Sequence, residues 1–206
     1  LGWADSAQHP GNLSTGAFRV EEFRLPVFSG RVAPADAGKP LIAPTSVPVS
    51  VQIGYVSGGP AVNLPVQVSA LARDRALNFP DFADYSFQPA RGPRDDNAPS
   101  PDEGGESRVL ADKLPLTLDR QGAGRVTIID LLPSKRPREL LLEARYADPN
   151  GEIQTLRSTQ PLWPAGVIVG LRTEGWVSTG EKARVGVLAL GLDGKPMQGV
   201  AVHVRA

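Results

Sequence analysis

The residues best suited to chemistry gather in one stretch, Phe79 to Ser107, FPDFADYSFQPARGPRDDNAPSPDEGGES. Its second half holds Asp95, Asp96, Asp102, Glu103 and Glu106, and several carboxylate oxygens are what a hard cation such as calcium requires. Their spacing matches no rigid ligand loop and prolines break the segment, so a solvated acidic loop is the preferred reading. With Arg91 and Arg94 beside them, the stretch reads instead as an exposed segment open to proteases. Arg91, Arg94, Asp95, Asp96, Glu103 and Glu106 are its candidate site residues. A second basic run, Ser134-Lys135-Arg136-Pro137-Arg138, reads as an exposed turn and a target for a trypsin-like protease.

Catalysis finds no such foothold. The two histidines, His9 and His203, lie far apart, and His203 alternates with Val202 and Val204, which places it on the solvated face of a strand. No Ser-His-Asp, His-Glu-x-x-His, Walker or Gly-x-Gly-x-x-Gly pattern stands in a fitting context, and Gly122-Ala123-Gly124 reads as a hairpin turn. The sequence has no cysteine, which excludes disulfides, thiolate metal sites and cysteine nucleophiles within it. No catalytic, cofactor or metal residue is therefore expected, and the chain is not read as an enzyme. Lysine and arginine number 22 and so do aspartate and glutamate, so a net charge of zero argues against a nucleic-acid partner. Asn12-Leu13-Ser14 matches a glycosylation sequon, a three-residue pattern too common to carry weight.

The elements that must position the long stretch are strands. With 22 Gly and 20 Pro the chain has more punctuation than a helical protein tolerates, and no convincing period-3.6 apolar spacing is present. Val47, Val49, Val51, Ile53 and Tyr55 alternate with small or polar residues; Ser57-Gly58-Gly59-Pro60 breaks the run, and Val66, Val68, Ala70 and Ala72 resume it. That reads as an antiparallel hairpin with one face on a core. Arg184 to Ala206 reads as a second copy, with Gly59 and Val66 answering to Gly194 and Val200 at an offset of about 135 residues. Further strands are expected at Ser14–Phe28, Arg108–Ala111, Leu114–Leu118 and Arg125–Leu131, the last returning from a turn at Asp119–Gly124. A closing hairpin of Glu139–Tyr146 and Ile153–Thr159 crosses Asp148-Pro149-Asn150-Gly151.

Leu25-Pro26 and Trp163-Pro164 each precede a new strand, at an offset of about 138 residues, and proline suits such a join because it cannot donate to a central ladder. The chain then divides into residues 1–25, the end of one domain; 26–163, a complete antiparallel fibronectin- or Ig-like β-sandwich of about seven or eight strands; and 164–206, the opening strands of a following domain. The insertion at 79–107 belongs to the complete domain, where Phe79, Phe82, Tyr85 and Phe87 are expected to pin its base on the sandwich. Trp163 and Trp176 read as interdomain or core packing. Incomplete sandwiches expose strand edges and apolar faces, so both ends are expected to pack on the central domain or to pair with neighbouring molecules. No run approaches the roughly 18 apolar residues of a membrane span. No signal peptide stands at Leu1, and since Leu1 is not a start methionine the sequence is expected to be part of a longer protein.

The run Gly16-Ala-Phe-Arg-Val-Glu-Glu-Phe-Arg-Leu-Pro26 into a new strand resembles a junction between macroglobulin domains of the bacterial α2-macroglobulins. So do Ile53-Gly-Tyr-Val-Ser-Gly-Gly-Pro-Ala-Val-Asn-Leu-Pro-Val-Gln-Val68, Leu118-Asp-Arg-Gln-Gly-Ala-Gly-Arg-Val-Thr-Ile128, and Gly175-Trp-Val-Ser-Thr-Gly180 leading to Leu192-Asp-Gly-Lys-Pro196. The resemblance covers nearly the whole chain and rests on sandwich turns. It implies a periplasmic or inner-membrane-anchored protein of the cell envelope, built of many fibronectin-like macroglobulin domains. Such proteins trap proteases: cleavage of an exposed bait triggers rearrangement, and many members then tether the protease through a thioester. The thioester requires a cysteine followed two residues later by Glu-Gln, and some members carry a lipid-anchor cysteine; this chain has neither.

The resemblance thus implies a structural and interaction module of a broad-spectrum protease inhibitor. Its partners would be other macroglobulin domains of the same chain, proteases as targets of the whole protein, and other envelope proteins. Within that reading the 79–107 insertion is taken as an ordinary surface loop in preference to the bait itself. An Ig-like stalk or adhesin binding a cell-surface ligand is the alternative. An accessory domain of a glycan-active enzyme would instead need Phe79, Phe82, Tyr85 and Phe87 as an exposed platform.

Overall fold

Alternation decides the first layer. Val47, Val49, Val51 and Ile53 are at most 1% exposed, while the residues between them face outward or stay partly covered. They lie on β3 (Val47–Tyr55), which pairs antiparallel with β1 (Phe28–Pro34) on one side and β6 (Ala123–Ile128) on the other. The opposing layer is a five-stranded sheet in the order β2 (Leu41–Ile42), β8 (Ile153–Trp163), β7 (Arg138–Ala147), β4 (Pro65–Asp74) and β5 (Ser107–Thr117). Its pairs are antiparallel except β2 with β8. The computed structural model describes residues 26–88, 107–173 and 184–203. The expected strand at Ser14–Phe28 thus lies outside the described residues up to position 25, and β1 begins at its last residue.

Val66, Val68, Ala70 and Ala72 from β4 and Leu140, Leu142, Ala144 and Tyr146 from β7 meet the β3 valines across one core, closed by Leu118 and Ile128. Each fully buried aliphatic side chain there contributes roughly 1.5–3 kcal/mol of transfer free energy. The result is an all-β sandwich of eight strands, as the alternation and turn spacing led one to expect. The Arg108–Ala111 and Leu114–Leu118 segments are one continuous strand, β5. Its register against β4 shifts near Ala70, where Lys113 takes a φ of 50° and its N–H donates to Ser69 Oγ at 3.0 Å. The β7–β8 hairpin forms as expected, and the Asp148 carboxylate at its turn accepts the N–H groups of Asn150 and Glu152, both at 2.9 Å.

The expected first hairpin fails. Val47–Arg73 is not a hairpin: β3 and β4 belong to opposite sheets, and the chain turns at Tyr55–Gly59 and then crosses the core edge through the buried Ala61. Alternation reports which face of a strand is covered, not which strand lies beside it. Two strands facing each other across a core show the same pattern as two strands side by side. The turn at Asp119 behaves likewise, since β5 pairs with β4 and β6 with β3.

A third sheet joins β9 (Val167–Thr173) to β10 (Val185–Gly191), antiparallel. It repeats the β1–β3 pair register for register. Gly30↔Ile53, Val32↔Val51 and Pro34↔Val49 correspond to Val169↔Ala189, Leu171↔Val187 and Thr173↔Val185. Even the isolated bridge Gly54↔Pro60 returns as Leu190↔Pro196. The second hairpin expected in Arg184–Ala206 is not made among the described residues: after Pro196 no strand forms, and Val202 and His203 are exposed without one. Burial on this sheet is inverted. Val169, Leu171, Val185 and Val187, which match the core face of the first pair, are 37–47% exposed, whereas Ile168 and Leu190, which match its outer face, are 7% and 0% exposed.

Candidate functional site at the root of the insertion

The insertion leaves β4 at Asp74 and returns at Ser107, whose register partner is Arg73. Its root is held by charge. Asp74 pairs with Arg138 at 3.3 Å and Arg136 at 3.7 Å, while Arg73 pairs with Glu139 across the neighbouring strand. The Arg75 N–H donates to the Pro137 carbonyl at 2.9 Å, and the Arg75 guanidinium sits 5.5 Å from the centre of the Trp163 ring. The basic run Ser134–Arg138 and the start of the insertion are therefore neighbours, though 60 residues of sequence separate them. Lys135 and Arg136 keep exposed surface, as expected of that turn.

From the root, residues 77–88 form an arm that crosses to the third sheet. A single 3-10 turn at Pro80–Phe82 bends it, with proline at the first helical position. Ser86 then bridges Leu171 on the free side of β9, donating its N–H at 2.8 Å and accepting the Leu171 N–H at 2.9 Å. Phe87 is 8% exposed and packs edge-on against Phe79, ring centres 4.7 Å apart. Arg172 of β9 reaches back, 5.2 Å from the Tyr85 ring centre and 3.7 Å from the Asp84 carboxylate. Phe87, Trp163, Ile168 and Leu190 form a second apolar cluster with Leu77, Phe79, Phe82, Tyr85, Leu188 and Leu192 around it.

The aromatic residues were expected to pin the insertion on its own sandwich. They pack instead on the following sheet, where β9 and β10 offer an apolar outer face. Occupied in this way, they form no open platform of the kind a glycan binder would present. Trp163 packs at the junction, as expected; Trp176 lies outside the described residues. So do the candidate protease-sensitive residues Arg91, Arg94, Asp95, Asp96, Glu103 and Glu106, together with Asp102 and His9.

Sequence reasoning missed the seat itself: Ile168, Gly170, Gly186, Leu188 and Leu190. A signal was present. Val167-Ile168-Val169 and Val187-Leu188-Ala189-Leu190 are continuous apolar runs, the mark of strands covered on both faces. Elsewhere, burial and, secondly, the Asp148 carboxylate raise the Tyr146 phenol above its ordinary 10.0. What the arrangement can do is non-covalent: hold one segment of chain against another.

No protein-family model matches the sequence, and no curated protein matches it. Solved structures do. Trypsin-activated α2-macroglobulin from Escherichia coli aligns at 24% identity with a TM-score of 0.57, over 76% of this chain and 10% of that one. Salmonella α2-macroglobulin reacted with methylamine aligns at 21% identity and a TM-score of 0.60, over 87% and 12%. Escherichia coli α2-macroglobulin activated by porcine elastase gives 22% and 0.59, over 86% and 15%. The chain thus spans only 10% to 15% of the length of these proteins. The chain has the fold of a segment of the bacterial α2-macroglobulins, the family its sequence resembles.

Proposed function

We propose that this chain is a scaffold module of a bacterial α2-macroglobulin-like, broad-spectrum protease inhibitor of the cell envelope, with no catalytic role of its own. The observation that carries the reading is the fold shared over most of the chain with Escherichia coli α2-macroglobulin activated by trypsin and by elastase. In this reading residues 26–163 are one complete macroglobulin-like domain, 1–25 end the one before it, and 164–206 open the next. The register repeat supports that division, since β9–β10 reproduces β1–β3 and leaves bare the face that the first sandwich buries. The partners are the neighbouring macroglobulin domains and, through the whole protein, proteases; the place is outside the cytoplasm, in the periplasm or anchored to the inner membrane. The insertion is a surface loop rather than the bait.

Limited digestion of the longer protein with proteases of different specificity tests this, read by mass spectrometry and native gel. The expected first cuts include the 89–106 segment, with no change in mobility when that segment alone is cut. A jump in mobility coinciding with that cut would make the insertion a bait. A longer protein that slows none of the proteases would remove the inhibitor reading altogether and favour a stalk.

A further inference from the structure

We propose that the outer face of β9–β10 is a docking seat for an extended aromatic segment, filled here by residues 77–88 of the same chain. This clasp, rather than packing of strand on strand, fixes the third sheet to the first body. Three observations carry the inference. No strand of the first two sheets makes more than marginal contact with β9 or β10, so among the described residues the link consists of the arm, Trp163 and the peptide that follows it. The internal repeat then shows where the seat departs from an ordinary outer face. Ser29, Arg31 and Gln52 stand on the solvent side of β1–β3, and their register equivalents are Ile168, Gly170 and Leu188. Polar and charged positions have become apolar ones or a glycine.

The glycine is fitted to its occupant. A Cβ on Gly170 would lie 2.5 Å from Phe87 Cε1, far inside van der Waals contact, and the backbone of Gly170 is an ordinary strand that any residue adopts. Nearby, the Phe79 ring lies over Gly194, a turn glycine with a φ of 79°, where an added Cβ would approach the ring to 3.3 Å. At Gly170 the missing side chain is thus replaced by the Phe87 ring of the arm. The inference does not depend on the protease reading, because it concerns only contacts within this chain.

Gly170→Val tests it. Valine favours strands, so β9 itself is spared while the seat is blocked. Phe87→Ala empties the seat without touching β9. Hydrogen exchange of the full chain, read by mass spectrometry at two protein concentrations, should show the Ser86 and Leu171 amides exchanging about tenfold faster or more in both variants. Amides of Val51, Val68 and Leu142 should be unchanged, and small-angle scattering should report a wider distribution of shapes. Unchanged protection at Ser86 in both variants overturns the proposal. Loss that spreads to the β3, β4 and β7 amides also overturns it, since the arm would then belong to the folding core. Wild-type protection that rises with concentration would assign the seat to the arm of a second copy instead.

Discussion

Two turns in this protein share a hydrogen-bond plan and differ in what surrounds them, so one substitution made in each isolates packing. At Asp119 and at Asp148 the carboxylate accepts the N–H groups two and four residues on, and a glycine three residues on has positive φ, 69° at Gly122 and 83° at Gly151. Alanine at Gly151 meets open space, so its cost is the left-handed backbone alone, about 1 kcal/mol. Alanine at Gly122 would place its Cβ 2.3 Å from the Ile53 carbonyl oxygen and 2.9 Å from the Ala61 nitrogen. The turn must then move off β3, which breaks the bond from Ile53 N–H to the Gly122 carbonyl, now 2.9 Å. Losing that bond adds roughly 1 kcal/mol and the overpacking roughly 1–3 kcal/mol. The expected total is about 4 kcal/mol for Gly122→Ala against about 1 kcal/mol for Gly151→Ala. Urea unfolding followed by fluorescence measures both, and an unchanged slope would confirm that the folded state alone was altered. Equal midpoints for the two variants would refute the argument that the Asp119 turn is seated on β3.

Three further outcomes are expected. The raised Tyr146 phenol ionises later in the folded chain than in the unfolded one, so stability is constant below about pH 10 and falls as pH rises from there through the folded-state value; Tyr146→Phe should flatten that fall in urea midpoints taken between about pH 8 and 11. Asp148→Ala should cost about 2–3 kcal/mol and Asp119→Ala about 1 kcal/mol by the same assay, because Asp148 is only 7% exposed whereas water reaches Asp119 and replaces its lost bonds. Val51→Ala should cost about 2 kcal/mol from two lost methyl groups and their cavity, and Val187→Ala at the equivalent register position much less, since Val187 is 37% exposed; equal losses would mean that its face is already covered.

The period-two pattern was enough to name the buried faces of β3 and β4, and the Asp148-Pro149-Asn150-Gly151 signal was enough to place a hairpin. Both are local properties, set by a few consecutive residues. Pairing is not local: β3 finds β6 some 70 residues later, and alternation carries no label for that choice. The root of the insertion was hidden for the same reason, because Asp74 meets Arg136 and Arg138 only once β7 has paired with β4. The seat was legible in principle. Ile168 beside Val169 and Leu188 beside Val187 break the alternation that the equivalent strands keep, and that break is the trace of a second covered face.

The attachment of the third sheet has a kinematic consequence. A peptide such as Pro164-Ala165-Gly166 is by itself a swivel, free to turn about every axis. Phe87 seated on Gly170 and Ser86 bridged to Leu171 supply a second point of support away from it. Phe79 over Gly194 and Arg172 against Tyr85 and Asp84 add to that support, and each contact away from the peptide resists turning about it. The arm thereby turns a swivel into a braced joint, and bracing of this kind is lost all at once when the arm lifts.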